Sequence, residues 1–426
     1  MESENLLKRR QGVMGSESPM FYERPLNLVS GNDVWLIDVE GKRYLDGYNN
    51  VPCVGHGNPH VARAMYEQAL TLNTHTRYLN DKIVNYAERL LQTFDAHLDG
   101  VMFTCTGSEA NELALRIARH ATGGTGVIVS TYNYHGNSST LASLTTAMQA
   151  SPEPFPLSAE AIPIPCMYHS EGLSEAQLLE AYLSKVVRAI DSMKARGVRL
   201  AAMLIDTVFA NEGIPTLPEG YVERLAELVH EAGGLLIVDE VQSGFGRTGK
   251  HMWGHQGCGA KPDIVTMGKP MGNGFPLAAL VTNLDLINSF GRNAMYFNTF
   301  GGSPVAAAVG MAVLEEIENR KLMENVLRTS ETLGQGLREL AAQYSIIGDV
   351  RNRGMFFAVE LVSDQRTLQP AAAEAKRLIN WLRENGVLIS RIGPGDNVLK
   401  IRPPLTFDSS HADYLLRALE NGLRKL

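Results

Sequence analysis

Two charged residues stand at the ends of apolar segments that have the length of buried strands. Lys269 ends the segment 263–269, and Asp239 ends the segment that begins at Leu235. A lysine amine can form a Schiff base with an aldehyde, and a carboxylate can keep a pyridinium nitrogen protonated. Together they supply two groups that pyridoxal 5′-phosphate requires, whereas either residue alone is more often a solvated loop residue.

A short segment between a predicted strand and a predicted helix has the residue types of a phosphate site. Thr106, Gly107 and Ser108 follow the strand 101–105 and precede a helical pattern. The glycine allows a tight turn, and the free amides and dipole of a helix N-terminus favour an anion. Thr106 and Glu109 also have the spacing of a capping box. The two interpretations are compatible, and these residues support both equally.

Three further residues are placed where they can contact a ligand. Tyr134 and His135 follow the strand 126–130. An aromatic ring at such a position stacks on a flat cofactor or simply packs in the core. Arg402 precedes two prolines, and it can bind a carboxylate through two hydrogen bonds or form a surface ion pair.

The elements that must position these residues alternate between strands and amphipathic helices. Strands are predicted at 101–105, 126–130, 200–205, 235–238 and 263–266, with helices such as 109–120 and 221–231 between them. This alternation predicts a mostly parallel sheet with helices on both faces. Ligands bind outside the carboxyl ends of such strands, so the candidate residues are expected to converge. The proline-rich segment 152–165 is predicted to be a loop.

The two ends of the chain have a different pattern. A hairpin is predicted at 33–38 and 43–46. After a long helical stretch at 303–342 come a strand-rich segment at 346–361, a helix at 371–384 and a strand at 399–402. These patterns predict a large domain at 60–310 and a smaller α+β domain formed by 1–59 and 311–426.

Composition excludes several classes of protein. A hydrophobic share of 44% and a charged share of 20% are typical of globular proteins, and the net charge of -7 argues against binding to nucleic acid or an anionic membrane. The four cysteines form no CxxC pair. This predicts reduced thiols and a cytoplasmic protein without a structural zinc site. No segment approaches the roughly 20 apolar residues of a membrane span.

Taken together, these residues resemble the class III aminotransferases, which are pyridoxal-phosphate enzymes of fold type I. The resemblance runs from Tyr44 to Leu405, and its most specific stretch is 239–249, with Lys269 thirty positions after Asp239. It implies pyridoxal 5′-phosphate as the cofactor and an α/β fold with a large domain and a smaller α+β domain. It also implies an active site built across a homodimer, with a tetramer as the larger alternative.

The resemblance implies a role for each candidate residue. Lys269 carries the Schiff base and moves the proton, and Asp239 holds the pyridinium nitrogen. The remaining implied cofactor contacts are Thr106, Gly107 and Ser108 at the phosphate, Tyr134 and His135 at the ring, Gln242 at the ring hydroxyl, and Thr299, which would reach the phosphate of the neighbouring subunit. The substrate contacts are expected at Arg402, Asn50 and Arg77, and no metal is expected.

Four segments are similar to one branch of the family, the phospholyases of phosphoethanolamine and phosphohydroxylysine. They are 49–56, 72–79, 266–274 and 296–302. Those enzymes eliminate phosphate instead of transferring an amine. Two positions depart from the patterns of the family. Arg402 stands where these phospholyases typically have lysine, and Asn211, followed by Glu212, stands where γ-aminobutyrate transaminases have a gating glutamate.

Both reactions begin with removal of a substrate proton by Lys269. Because Arg402 fits an α-carboxylate, the sequence narrowly favours an aminotransferase that moves an amino group from an amine or amino acid to a keto acid. The alternative is elimination of phosphate from a phosphorylated amino alcohol or amino acid such as O-phosphoethanolamine. A nucleotide-binding protein is the alternative from another class, since 244–250 matches two glycine-rich patterns. That segment lacks both the helix start and the Ser or Thr that those patterns need.

Overall fold

The computed structural model describes residues 2–49, 51–148 and 150–426, and within them the chain forms twelve α-helices and sixteen β-strands. None of these helices is both long enough and apolar enough to cross a lipid bilayer. The helices are α1 Glu2–Met14, α2 Pro59–Thr71, α3 Asp81–Leu91, α4 Gly107–Thr122, α5 Ser139–Leu144, α6 Glu175–Ala195, α7 Tyr221–Glu231, α8 Leu284–Asn293, α9 Pro304–Asn319, α10 Leu322–Gln343, α11 Ala372–Glu384 and α12 Ser409–Leu423. The strands are β1 Leu28–Asn32, β2 Trp35–Asp38, β3 Arg43–Asp46, β4 Gly100–Thr104, β5 Gly126–Ser130, β6 Ala159–Ile162, β7 Leu200–Ile205, β8 Leu235–Asp239, β9 Ile264–Met267, β10 Ala278–Thr282, β11 Ile347–Asn352, β12 Phe357–Asp364, β13 Gln369–Pro370, β14 Val387–Leu388, β15 Ser390–Ile392 and β16 Val398–Ile401.

Seven strands form the central sheet, in the order β4-β10-β9-β8-β7-β5-β6. Strand β10 runs antiparallel to both of its neighbours, and the pairings among β5 to β9 are parallel. The inner strands β5, β7 and β9 are buried along their whole length, as in sheets covered by helices on both faces. The predicted α/β fold with a mostly parallel sheet is therefore confirmed.

Two smaller sheets contain strands from the two ends of the chain. One has the order β1-β2-β3-β14, and the other has the order β11-β12-β16-β15, with β13 paired to β12. The predicted hairpin is present as β2 and β3, with Trp35 opposite Leu45. Strand β14 adds to β3 in parallel, so a late segment completes a sheet that begins near the N-terminus. The domain boundaries at 59/60 and 310/311 stay a prediction.

Two local predictions are incomplete. The proline-rich segment 152–165 contains β6, which pairs in parallel with β5. Its prolines flank the strand, and residues 157–162 contain none, so the backbone donors of the strand remain available. The helical stretch 303–342 consists of α9 and α10, because Lys321 between them has a left-handed backbone with φ 49°.

The glycine-rich segment 244–250 is a turn and opens no helix. Gly246 and Gly249 have φ values of 73° and 77°, which favour glycine. Between them, the buried Arg247 donates hydrogen bonds to the backbone carbonyls of Met355 and Pro403. The turn thereby fastens the central sheet to the segment that follows β16.

Helix α9 packs against α3 so closely that a side chain at Gly310 has no room. A Cβ atom there would lie 2.3 Å from Cζ of Tyr86, which is fully buried. We expect Gly310→Ala to lower the thermal unfolding midpoint, at a cost of about 1–3 kcal/mol from overpacking. The control is Gly291→Ala in α8, where a Cβ meets nothing within 4 Å and alanine favours the helix. Calorimetry that finds equal midpoints for the two variants would contradict this packing.

Candidate active site

A cavity of about 220 Å³ lies at the carboxyl ends of the parallel strands. The residues around it follow β4, β5, β7, β8 and β9, which is where ligands bind in open α/β sheets. The lining residues are Gly107, Ser108, Asn111, Asn133, Tyr134, His135, Gly136, Asp206, Asn211, Glu212, Asp239, Val241, Gln242 and Lys269. The structure thus brings together seven of the candidate residues named from the sequence.

Lys269 enters this cavity from the start of the short 3-10 helix Lys269–Gly272. Its backbone φ of 32° is unusual for a residue with a side chain, and strain of this kind clusters at functional sites. The side chain is open to the cavity, but protein surrounds it on its other sides. That burial, followed by the charge of Arg402, lowers the pKa of the amine to about 8. A larger fraction of the amine is therefore neutral at physiological pH, as a nucleophile requires.

Asp239 is a buried carboxylate held by donors from three different segments. Its Oδ2 atom lies 2.9 Å from His135 Nδ1 and accepts a hydrogen bond from Asn111 Nδ2 at 2.9 Å, and its Oδ1 atom accepts one from the Val241 amide at 3.0 Å. Burial alone opposes ionisation, but the His135 contact and the other hydrogen bonds outweigh it and lower the pKa of Asp239. A carboxylate that stays ionised can pair with a ring nitrogen in the cavity.

The start of α4 forms a turn that leaves room for a phosphate. Thr106 is the N-cap of this helix and makes a capping box with Glu109, so its hydroxyl is used inside the turn and does not line the cavity. The space above Gly107 is restricted, because a Cβ there would lie 2.8 Å from Val241. Position 107 therefore favours glycine. The helix N-terminus at Gly107 and Ser108 lines the cavity, where its amides and its dipole favour an anion. Amine, carboxylate and anion site share one cavity, which fits pyridoxal 5′-phosphate.

Gln242 connects the cavity to two buried basic side chains. Its amide oxygen accepts hydrogen bonds from Lys400 Nζ at 3.1 Å and from Arg402 Nη1. Lys400 also donates to the Ala210 carbonyl at 3.4 Å, and Arg402 donates to the Tyr48 carbonyl at 3.2 Å. Both basic residues are at least 95% buried, with exposures of 3% and 4%. The predicted contact of Gln242 with a ring hydroxyl stays a prediction.

Besides Thr106 and Arg402, two predicted residues do not line this cavity. Arg77 and the segment that carries Thr299 border a different groove of about 480 Å³, where the Arg77 guanidinium lies 4.1 Å from the ring centre of Phe297. Thr299 itself is exposed. Asn50 lies outside the described residues. Nothing in the sequence indicates which surface Arg77 faces, because this depends on how the segments 72–79 and 295–301 pack together.

Several residues of the site were not predicted as contacts. Asn111 bridges Asp239 and Thr266, whose hydroxyl donates to its amide oxygen at 2.5 Å. Asn111 lies one turn after Gly107 in α4, on the end of the helix that borders the cavity, and this position could have identified it. Lys400 lies on β16, two positions before Arg402, which directly follows the strand, and residues two apart in an extended chain point to the same face. Alternation along that strand would have placed the two basic groups together.

The chain is similar to proteins with two kinds of activity. A solved structure of a phospholyase from Arthrobacter in complex with phosphoethanolamine is 50% identical, covers 99% of this chain and 100% of its own, and superimposes with a TM-score of 0.97. The ethanolamine-phosphate phospho-lyase homolog 1 of Caenorhabditis elegans is 35% identical over 99% of this chain and 93% of its own. The mitochondrial alanine–glyoxylate aminotransferase 2 homolog 2 of Arabidopsis thaliana is 36% identical over 99% of this chain and 87% of its own.

A family model described as Aminotransferase class-III matches residues 19–423. Pyridoxal 5′-phosphate is the typical cofactor of this family, and the lysine, the carboxylate and the helix N-terminus around the cavity are the groups that it needs. The match extends over nearly the whole sequence and agrees with the α/β architecture, so the chain belongs to the class III aminotransferase family.

Proposed function

We propose that this protein is a pyridoxal-phosphate-dependent lyase that eliminates phosphate from a small phosphorylated amine such as O-phosphoethanolamine. The observation that carries the proposal is the 50% identity, over 99% of the chain, to a phospholyase that binds this compound. From the sequence alone, Arg402 narrowly favours transamination, with elimination as the alternative. The similarity supports the alternative better, and the site offers a physical reason.

The physical reason is an excess of buried basic groups beside the cavity. Among the described residues, no carboxylate lies within ion-pair distance of Lys400 or Arg402, whose hydrogen-bond acceptors are backbone carbonyls and the Gln242 amide. Burial, followed by the charge of Arg402, lowers the pKa of Lys400 well below its usual value. A phosphate dianion beside these groups would offset the cost of burying them. A carboxylate carries half that charge and offsets less of it.

The roles of the other residues follow from their positions. The bound cofactor supplies an electron sink that makes the carbon bearing the substrate amine acidic. Asp239, kept ionised by His135 and Asn111, holds the ring nitrogen protonated. The Lys269 amine removes the proton from that carbon, and phosphate leaves from the neighbouring carbon. Gly107 and Ser108 would hold the cofactor phosphate, and Tyr134 and His135 would lie beside its ring.

We further propose that the enzyme is a cytoplasmic homodimer. Met295 lines the groove beside Arg77 and is exposed, and Leu79 and Phe300, which are neighbours in sequence of its lining residues, are exposed as well, with Phe300 at 74%. Apolar patches of this kind mark protein interfaces. Thr299 and Arg77 would then complete the active site of the neighbouring subunit. The four cysteines are free thiols, which agrees with a reducing compartment.

Substitution of Lys269 tests the assignment of the reactive amine. We expect Lys269→Ala to abolish turnover, with a loss of more than about 1,000-fold, because the proton-transfer group is removed. Borohydride should attach the cofactor covalently to the parent protein and leave it removable from the variant, as read by mass spectrometry. Lys250→Ala is the control, since Lys250 is exposed and distant from the cavity lining. Normal turnover by Lys269→Ala would contradict the assignment.

The choice between elimination and transamination is tested without a keto acid. We expect the holoenzyme to release inorganic phosphate from O-phosphoethanolamine over many turnovers while its absorption spectrum is regained. An aminotransferase would instead stop after one half-reaction, with the cofactor converted to its amine form and no phosphate released. The same measurement with alanine serves as the control. A single turnover without phosphate release would overturn the proposed function.

The dimer is tested at the apolar groove. We expect Phe300→Asp to shift the protein toward the monomer in sedimentation velocity, because it places a charge on an apolar interface. The control is Leu157→Asp, which changes a residue that is 84% exposed and lies away from the groove. Equal sedimentation coefficients for the two variants and the parent would contradict an interface at this surface.

A further inference from the structure

Glu212 is a carboxyl group that the cofactor chemistry does not use, although it lines the cofactor cavity. It also lines a second cavity, of about 350 Å³, which lies between the central sheet and the sheet containing β11 and β12. The hydroxyl of Ser130, at the end of β5, donates a hydrogen bond to Glu212 Oε1. Among the described residues, no cation lies within ion-pair distance of this carboxyl. Glu212 thus lies between two cavities, and no described residue supplies a countercharge within ion-pair distance.

The loop that carries Glu212 is held in place from several sides. Asp206 accepts hydrogen bonds from the amides of Val208 and Ala210, at 2.9 and 3.1 Å. Arg351 donates to the carbonyl of Gly213 at 2.8 Å and to the carbonyl of Ile214 at 3.0 Å. Phe209 and Ile214 have left-handed backbones, with φ values of 50° and 55°. A strained loop tied at both ends keeps the carboxyl at the cavity wall.

Charges of both signs face Glu212 across the two cavities. From the cofactor cavity they are Asp206, Asp239, His135, Lys269 and Lys400, and from the second cavity they are Arg351, Glu360 and His169. Burial raises the pKa of Glu212 to about 7; the Ser130 hydrogen bond lowers it, and the charge of Asp206 raises it. Arg351 is engaged by Asp349 and Glu360, so its charge is already balanced.

We propose that Glu212 is a specificity-determining residue whose charge controls the binding of dianionic groups beside Lys400 and Arg402. This inference rests on the proposed function, because it assumes a substrate that carries a phosphate. With its proton, Glu212 is neutral and adds no repulsion. Without its proton, it places a fixed negative charge at the wall of the cavity that must receive the dianion.

The sign of the pH dependence follows from this geometry. Below about pH 7 the carboxyl is protonated, and anion binding is tight. As the pH rises through that value, the carboxylate forms and repels the dianion, so binding weakens. Asp206 lines the same cavity, and burial raises its pKa to about 6, so its ionisation acts in the same direction. A substitution of Glu212 must therefore remove one part of the pH dependence and leave the other.

Sulfate is the probe, since it stays a dianion between pH 6 and 9. We expect the holoenzyme to bind sulfate about tenfold more weakly at pH 8.5 than at pH 6, measured by titration calorimetry. In Glu212→Gln the ratio between the two pH values should fall at least about threefold, because the neutral amide cannot ionise. Ser130→Ala should move the midpoint of the transition to higher pH, because it removes the hydrogen bond that favours the carboxylate. If either residue had only a structural role, its substitution would not reduce the pH ratio in one variant and raise the midpoint in the other.

Lys400→Met serves as the control for where sulfate binds. It should weaken binding at pH 6, and unchanged binding would overturn the inference, because the anion would then lie elsewhere. An unchanged pH ratio in Glu212→Gln would also overturn it. The proposed function fails separately, through the absence of phosphate release from O-phosphoethanolamine, whatever sulfate does.

Discussion

The buried carboxylate of Asp239 is the constraint on which the rest of the site depends. An ionised carboxylate that is only 6% exposed is costly unless donors surround it. The donors come from Asn111 in α4, His135 after β5 and the backbone of Val241. These segments can meet only if β4, β5 and β8 end at the same edge of the sheet. The requirement to satisfy one charge therefore determines the arrangement of three segments that are distant in sequence.

A second constraint is the balance of charge around the cavity. Burial lowers the pKa of both Lys269 and Lys400, and the charge of Arg402 lowers both further; the charge of Lys269 also lowers the pKa of Lys400. Asp206 and Glu212 line the same cavity, and burial raises the pKa of each, to about 6 and about 7. Buried acids and bases with shifted pKa values make the site costly to leave without a ligand. A bound phosphate dianion would stabilise the buried basic groups, and this charge balance supports the proposed phosphorylated substrate.

The fold positions the site through connections that cross between sheets. Arg247 ties the turn after β8 to the segment after β16, and Arg351 ties the loop after β7 to β11. Both arginines are buried and donate mainly to backbone carbonyls, so they hold the two segments that they join at a fixed distance. Arg402 and Glu212 thereby approach the cavity from the small sheet and the central sheet, respectively. In the proposed function, substrate recognition would depend on this contact between sheets, and cofactor binding would depend on the central sheet.

The sequence by itself determined the family, its typical cofactor and the architecture, but it did not decide between transamination and elimination. Lys269, Asp239 and the turn at Gly107 could be identified because each follows an apolar strand, and local hydrophobic patterns specify strands and helices. The same patterns predicted β2, β3 and α7. Only the tertiary structure decided that Lys400 joins Arg402 at Gln242, that Asn111 supports Asp239, and that Arg77 and Thr299 face another surface. These outcomes depend on side chains more than a hundred positions apart, and no local pattern encodes which of them will meet.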